Sequence, residues 1–412
     1  MRRWLVVTAG IVLGLALAAG AAAWAVAALL RATPGEWSHP VRIGPFRIEA
    51  SVPAMLRMAT HPVVMQRLAG RTFQTPFGPL QWHAGDQPNH WQVVCAPCRV
   101  HLPELGHDDV VLARVELDAH RLAQDDWRGD FSLGEARAVH GRWKASFGRQ
   151  GAQLSITLPD TPIAHVYGLF AAEIPEARHA AIEGRLALDM QLHLPERRFA
   201  VKPRIEGFSV GGLGTEALLD TAPGCAAPPP RGFGVWLPRA VIAAEDQRFY
   251  EHPGYDVREL TAAWTQNQDA GGAARGGSTL SQQVARLLYT GGERHHVRKL
   301  RELLYAVELD RTLGKARVLS LHLAIVPWGD GQCGAAAAAR HYLHKRVDKL
   351  TPTEAAWLAS LLHSPDREWT RFAQTGELNV ERVGWVIGNL RPMKEERRQA
   401  LVERLKEWSP RR

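Results

Sequence analysis

The chain has 412 residues, 46% of them hydrophobic, and a formal net charge of +8. That length and apolar content exclude a lone small module and a disordered chain, and predict two or three domains with a sizeable core. The basic balance suits anionic headgroups or pyrophosphates, and the apolar stretch at the start makes nucleic acid the poorest partner.

In chain order, Arg2 and Arg3 precede an uninterrupted apolar run from Trp4 to Leu30. As a helix it measures roughly 40 Å at about 1.5 Å per residue, enough to cross a hydrocarbon core of about 30 Å. The apolar core of a cleavable leader is shorter, about 7 to 15 residues, so residues 1–31 read as an uncleaved transmembrane anchor. Arg31, Arg42 and Arg47 dilute the charge bias; the expected topology still keeps the N-terminus in the cytoplasm and the bulk outside.

Val52 to Leu68 carries a loose helical pattern that Pro62 breaks, which predicts a short kinked helix. From Thr72 to Val210 the period changes to two. Leu186, Leu188, Met190, Leu192 and Leu194 fall on one side, with Arg185, Asp189, Gln191 and His193 between them, as in a half-buried strand. Further strands are expected over Val110 to Asp118, Ala136 to Phe147, Ala152 to Leu158 and Arg198 to Val210, giving an antiparallel β-rich domain over 40–220. Cys95 and Cys98 fit a local disulfide, half of a zinc site or two buried thiols; the lack of a second closely spaced cysteine pair argues against zinc.

The proline-rich stretch 221–231 breaks every periodicity and reads as a linker. Helical patterns dominate 232–370, starting near Pro238, and the tail 371–412 reads as one or two charged amphipathic helices. The expected class is therefore multidomain α+β: an anchor, an antiparallel β-rich domain and a mainly α domain.

Three segments of the helical region concentrate groups that core packing does not require. The first, residues 244–256, carries Glu245 at the end of an apolar helical stretch. Burial there raises a carboxyl pKa and suits it to proton transfer. Phe249 and His252, four and seven positions on, are expected on the same helical face. In the second, Gly276 and Gly277 precede Ser278 and Thr279 as a hydroxyl-capped helix start. Gln282, Gln283 and Arg286 add donors suited to sugars and anions. The third sets Arg298, Lys299 and Arg301 beside Glu302, the makings of a pyrophosphate clamp.

Together and in this order the three blocks resemble the first motifs of glycosyltransferase family 51, the peptidoglycan glycosyltransferases. Glu245, Asp246, Phe249, His252 and Gly254 match Glu-Asp-x-x-Phe-x-x-His-x-Gly. Gly276 to Gln283 match Gly-Gly-Ser-Thr-x-x-Gln-Gln, and Arg298, Lys299 and Glu302 match Arg-Lys-x-x-Glu. The family's closing stretch is similar through Glu354, Ala355, Leu358 and Ala359.

The resemblance implies a lysozyme-like helical fold at the bacterial inner membrane, single-pass, with its bulk in the periplasm. The implied partners are lipid II, the growing glycan chain, membrane lipid and other cell-wall synthesis proteins. It implies Glu245 as the base that activates the acceptor 4-hydroxyl, with inversion and release of undecaprenyl pyrophosphate. Glu302, Arg298 and Lys299 would stand at the pyrophosphate, ordering that site or helping to hold a divalent cation, magnesium or manganese. Ser278, Thr279, Gln282, Gln283 and Arg286 would line the donor side. Asp246, Phe249, His252, Gly276 and Gly277 would support the site.

The β-rich region resembles, in texture alone, AsmA-like envelope proteins with lipid-holding curved sheets; a plain spacer fits equally. Departures from the family are Leu287 after Arg286, and Ser320 and Ala324 where an acid and an asparagine are usual. Gly329, Gly331 and Gly334 keep the glycine loop, with Cys333 at a frequent aromatic position. The altered Ser320 and Ala324 region favours the alternative, a catalytically weak or inactive lipid II-binding scaffold, while the retained Glu245 and Glu302 oppose it. A lysozyme-like glycan-cleaving enzyme accounts for one glutamate but not for the Gln-Gln and Arg-Lys blocks. Neither Ser-x-x-Lys nor Lys-Thr-Gly occurs, so a monofunctional enzyme is expected.

Overall fold

A computed structural model describes residues 20, 24–26, 28–43, 46–101, 109–221, 223–225, 232–269, 276–291 and 297–410. The chain divides into two compact units, and the division does not fall at a single point. One unit holds Met1–Val100, Asp109–Thr161 and Leu186–Arg204; the other holds His101–Asp108, Pro162–Arg185 and Ile205–Arg412.

After a hairpin of β1 (Ser38–Ile43) and β2 (Phe46–Ser51), the alternating sequence forms one nine-stranded sheet, most of whose residues belong to the first unit. Its strands in chain order are β3 (Thr72–Thr75), β4 (Gly78–Ala84), β5 (His90–Cys95), β8 (Val115–Arg121), β9 (Asp126–Leu133), β10 (Val139–Phe147), β11 (Ala152–Pro162), β12 (Ala181–Leu194) and β13 (Arg198–Gly211). They lie in the order β13-β12-β11-β10-β9-β8-β5-β4-β3, and the ladders between β3 and β11 are antiparallel. Each strand thus pairs with its successor except where β6 (Cys98–His101) and β7 (Asp109–Leu112) make a separate hairpin. The single strand expected over Val110 to Asp118 is two strands for that reason.

Alternation puts Trp91, Ala119, Trp127 and Ala145 on one face, where Met65 from the Pro62–Leu68 helix completes the core. Aromatic burial of this kind supplies most of a small sheet's apolar stabilisation. As expected, the Val52–Ala59 and Pro62–Leu68 helices meet at Pro62. Cys95 and Cys98 form a disulfide, and Cys225 and Cys333 form a second that sequence reading left unpaired.

The second unit is mainly helical, with its core built from the Trp236–Glu245, Leu280–Ala285, Arg298–Ile325, Ala335–Leu343, Pro352–Ser360 and Val380–Gly388 helices. The Arg298–Ile325 helix contains a break at Gly314, whose φ of 72° falls outside helical geometry and suits only a residue without Cβ. No described helix is long and apolar enough to cross a membrane. The expected anchor over residues 1–31 lies largely outside the described residues.

Candidate active site

All residues of the candidate site belong to the second unit. Glu245 is the last residue of the Trp236–Glu245 helix, whose Leu237, Ala240, Val241, Ala243 and Ala244 are buried. The helix stops because Asp246 leaves helical geometry and turns its carboxylate inward. There it accepts from the Leu280 backbone N–H at 2.9 Å and from His252 Nε2 at 3.0 and 3.1 Å. Phe249 and His252 therefore do not continue one face of Glu245's helix, as expected from their spacing; they sit on the turn that follows it.

That turn is tightly held. Phe249 is fully buried, with the Lys315 ammonium 4.5 Å from its ring centre. Lys315 also lies 3.4 Å from His252 Nδ1; a lysine only donates, so the ring proton belongs on Nε2, facing Asp246. Gly254 has φ +88°, and a Cβ there would come within 2.5 Å of the Ala306 carbonyl oxygen. Only glycine meets both demands.

Thr279 caps the Leu280–Ala285 helix. Its hydroxyl accepts from Gln282 N–H and donates to the Gly254 carbonyl at 2.7 Å, and Gln282 Oε1 accepts from Thr279 N–H. Thr279 and Gln282 are therefore committed to a reciprocal cap. Gly276 and Arg286 are exposed, and Gly277 and Ser278 are half-buried.

Gln283 is the residue brought to Glu245, its Nε2 donating to Oε2 at 3.1 Å. Its Oε1 lies 2.9 Å from His322 Nε2. The amide orientation is thereby set: with its nitrogen on the carboxylate, its oxygen must accept from His322. Burial pushes the His322 imidazole down to about 4, so at neutral pH the ring carries one proton, on Nε2. His322 Nδ1 has no hydrogen-bond partner among the described residues.

Burial raises the Glu245 carboxyl above its ordinary value, with the Gln283 hydrogen bond and the Arg382 charge opposing the rise and Asp246 reinforcing it. Its side chain is 13% exposed, and Arg382 stands 3.7 Å from Oε1. That separation is too long for a hydrogen bond, and Oε1 has no hydrogen-bond partner among the described residues. Arg382 was invisible in the sequence because it lies in a highly charged tail; it is held in place by donating to the Ala244 carbonyl and packing on Trp385.

A second cluster surrounds Glu302, which is fully buried in the Arg298–Ile325 helix. Arg298 donates to Oε1 at 3.0 Å and Lys299 to Oε2 at 2.7 Å; Lys299 also donates to the Ser278 hydroxyl at 2.9 Å. Arg301 points elsewhere and forms a fork on Glu176. Burial works against ionisation of Glu176, but Arg301 outweighs it and holds the carboxyl below its ordinary value. Tyr305 adds a hydroxyl to the same carboxylate and stacks on Tyr289.

Of the unusual positions, Ser320 donates its hydroxyl to the Ala316 carbonyl of its own helix. Ala324 lies beside the glycine loop, where a Cβ on Gly334 would meet the Ala324 carbonyl at 2.6 Å. The Cys225–Cys333 bridge ties this loop covalently to the segment before the helical core.

Comparisons with known proteins match the same region of the chain. Residues 230–391 match the family model described as transglycosylase, a span that includes the Arg382 helix. A biosynthetic peptidoglycan transglycosylase of Nitrosomonas europaea is 45% identical over 147 residues, 36% of this chain and 60% of that protein. Proteins of the same name from Nitrosomonas eutropha and Ralstonia nicotianae are 43% and 40% identical over 129 and 156 residues, which are 31% and 37% of this chain and 53% and 66% of theirs. The chain thus spans between half and two thirds of the length of these curated relatives. Residues 230–391, which hold the three motif blocks on one helical scaffold, are thus a transglycosylase domain by that match.

Proposed function

We propose that the helical unit polymerises lipid II into glycan strands with inversion at the donor anomeric carbon, releasing undecaprenyl pyrophosphate. The observation that carries this reading is the divided environment of Glu245. One oxygen is fixed by Gln283, while the other is buried without a hydrogen-bond donor among the described residues. Oε1 is then the atom that takes the proton from the acceptor 4-hydroxyl. Burial raises its pKa, which strengthens it as a base. Arg298 and Lys299, prealigned by Glu302, neutralise the departing pyrophosphate. Ser278 holds Lys299, and Gln283 orients the base; Arg286 offers an exposed charge on the donor side.

Magnesium or manganese at Glu302 does not fit this arrangement, because both carboxylate oxygens already accept from cationic side chains. The proposed reaction is therefore carried by the chain's own residues. Two disulfides suit an oxidising compartment and support the reading that the bulk of the chain lies in the periplasm on a single-pass anchor.

The test is incubation of the purified, detergent-solubilised full chain with labelled lipid II. Polymer from the wild type is expected; its absence across detergents and divalent ions would sink the reading and favour a lipid II-binding scaffold. The supporting residues give a finer check. Arg382→Gln removes a positive charge near Glu245, so the acidic limb of the kcat/KM profile is expected to move to higher pH. His322→Phe frees the Gln283 amide and is expected to move the limb the same way, with His322→Tyr restoring part of the shift through its hydroxyl. A pH profile unchanged in all three would contradict the arrangement.

A further inference from the structure

The polar face of the sheet carries a group that the proposed polymerisation does not use. His90 opens β5 and His120 lies near the end of β8, and the two are register partners across the antiparallel ladder. The neighbouring pair is hydrogen-bonded, with Arg121 N–H donating to the Asn89 carbonyl at 2.9 Å. His90 and His120 therefore occupy a non-hydrogen-bonded pair, where opposed side chains approach most closely. Their rings stack at 4.0 Å with an interplanar angle of 10°.

Asp118, two residues before His120, projects from the same face. Its Oδ2 lies 2.6 Å from His90 Nε2 and its Oδ1 lies 3.2 Å from His120 Nε2. All three donor atoms lie within 4.8 Å of one another. Among the described residues this is the sole group of three such side chains so placed.

We infer that His90, Asp118 and His120 form a binding site for a divalent first-row transition ion, with zinc the expected occupant. Two imidazole nitrogens and one carboxylate oxygen are a donor set that zinc favours, and hard ions such as magnesium do not. Zinc bonds of about 2.0 to 2.2 Å to tetrahedral ligands require donor separations of roughly 3.3 Å. The donor atoms are already within 4.8 Å of one another, and seating an ion requires the two imidazoles to leave their stack and turn their Nε2 lone pairs toward it. The side chains are 18%, 29% and 36% exposed for His90, Asp118 and His120, so an ion reaches them from solvent and a water completes the fourth position.

Two neighbours shape the site. Gln92 is the register partner of Asp118 on β5, and Arg128 is that of His120 on β9. Arg128 is exposed, which leaves its charge screened by solvent. The bound ion would fasten β5 to β8 at the open end of their ladder, independently of any role in the helical unit.

The experiment uses the metal-stripped full chain without a histidine tag, titrated with zinc alone. The wild type is expected to retain one tight equivalent and to melt several degrees higher in its presence. His120→Ala and Asp118→Asn, confirmed folded by circular dichroism, are expected to weaken binding by at least about tenfold, while His140→Ala leaves it unchanged. Should those variants fail to fold, zinc-edge absorption on the wild type decides: two imidazole nitrogens at about 2.0 Å are expected. No tight equivalent in the wild type, undiminished binding in folded His120→Ala, or a spectrum lacking two imidazoles would each overturn the assignment.

Discussion

Glu245→Gln is expected to lower lipid II polymerisation about 10²- to 10⁴-fold, the range a positioned general base supplies, while raising the melting temperature at neutral pH. Glutamine keeps the shape, and Gln283 Nε2 still finds an oxygen at that position. What is lost is the ability of Oε1 to take a proton. The stability gain has the opposite origin. Burial raises the Glu245 carboxyl, and a carboxyl raised in the folded state contributes stability that is fully present below its unfolded value. That contribution is lost as pH rises through the folded value. At neutral pH the wild type therefore carries a cost that glutamine removes, and the two proteins should melt together below about pH 4, where the carboxyl is protonated in both states. Parallel thermal melts across pH test this; a variant that polymerises at the wild-type rate, or shows no gain at neutral pH, contradicts the assignment.

The second large effect concerns the other glutamate. Arg298→Ala combined with Lys299→Ala is expected to destabilise the protein by about 3 kcal/mol, because it leaves Glu302 buried with neither of its ion-pair partners. The asymmetry of burial fixes the direction: the Glu302 side chain is 1% exposed, whereas those of Arg298 and Lys299 are 25% and 47% exposed. Losing the carboxylate lets the two cations hydrate; losing the cations strands the carboxylate. Adding Glu302→Gln to the double variant should accordingly recover most of the lost stability without recovering activity. Urea denaturation of the double and triple variants measures this, and a triple variant no more stable than the double would refute it.

How far the sequence sufficed depends on the distance over which each feature is built. Glu245, Gln283, Lys299 and Glu302 were legible because a short block of residue types at fixed spacing carries each of them. The β-rich region was legible through its period of two, which one-sided burial imposes directly on the residue order. Spacing misled where the chain turned: Phe249 and His252 fit a helical face, but Asp246 finds better partners by ending the helix. Features assembled across the fold left no such trace. Arg382 reaches Ala244 from 138 positions away, and Cys225 meets Cys333 across 108. His90 and Asp118, 28 apart, meet only once β5 and β8 are paired. His322 carries no spacing signal of its own, since its importance lies in the orientation it imposes on the Gln283 amide.

Asp246 has a consequence for how such a site is inherited. A single carboxylate ends one helix, grips His252 and receives the first N–H of the Leu280–Ala285 helix, so those three segments share one anchor. Changes at the anchor and at its partners are not additive: once Asp246 is gone, replacing His252 costs little more, and while Asp246 remains, each partner is expensive to lose. A lineage drifting from this arrangement thus meets one steep step followed by level ground, and its descendants should keep these segments together or abandon them together.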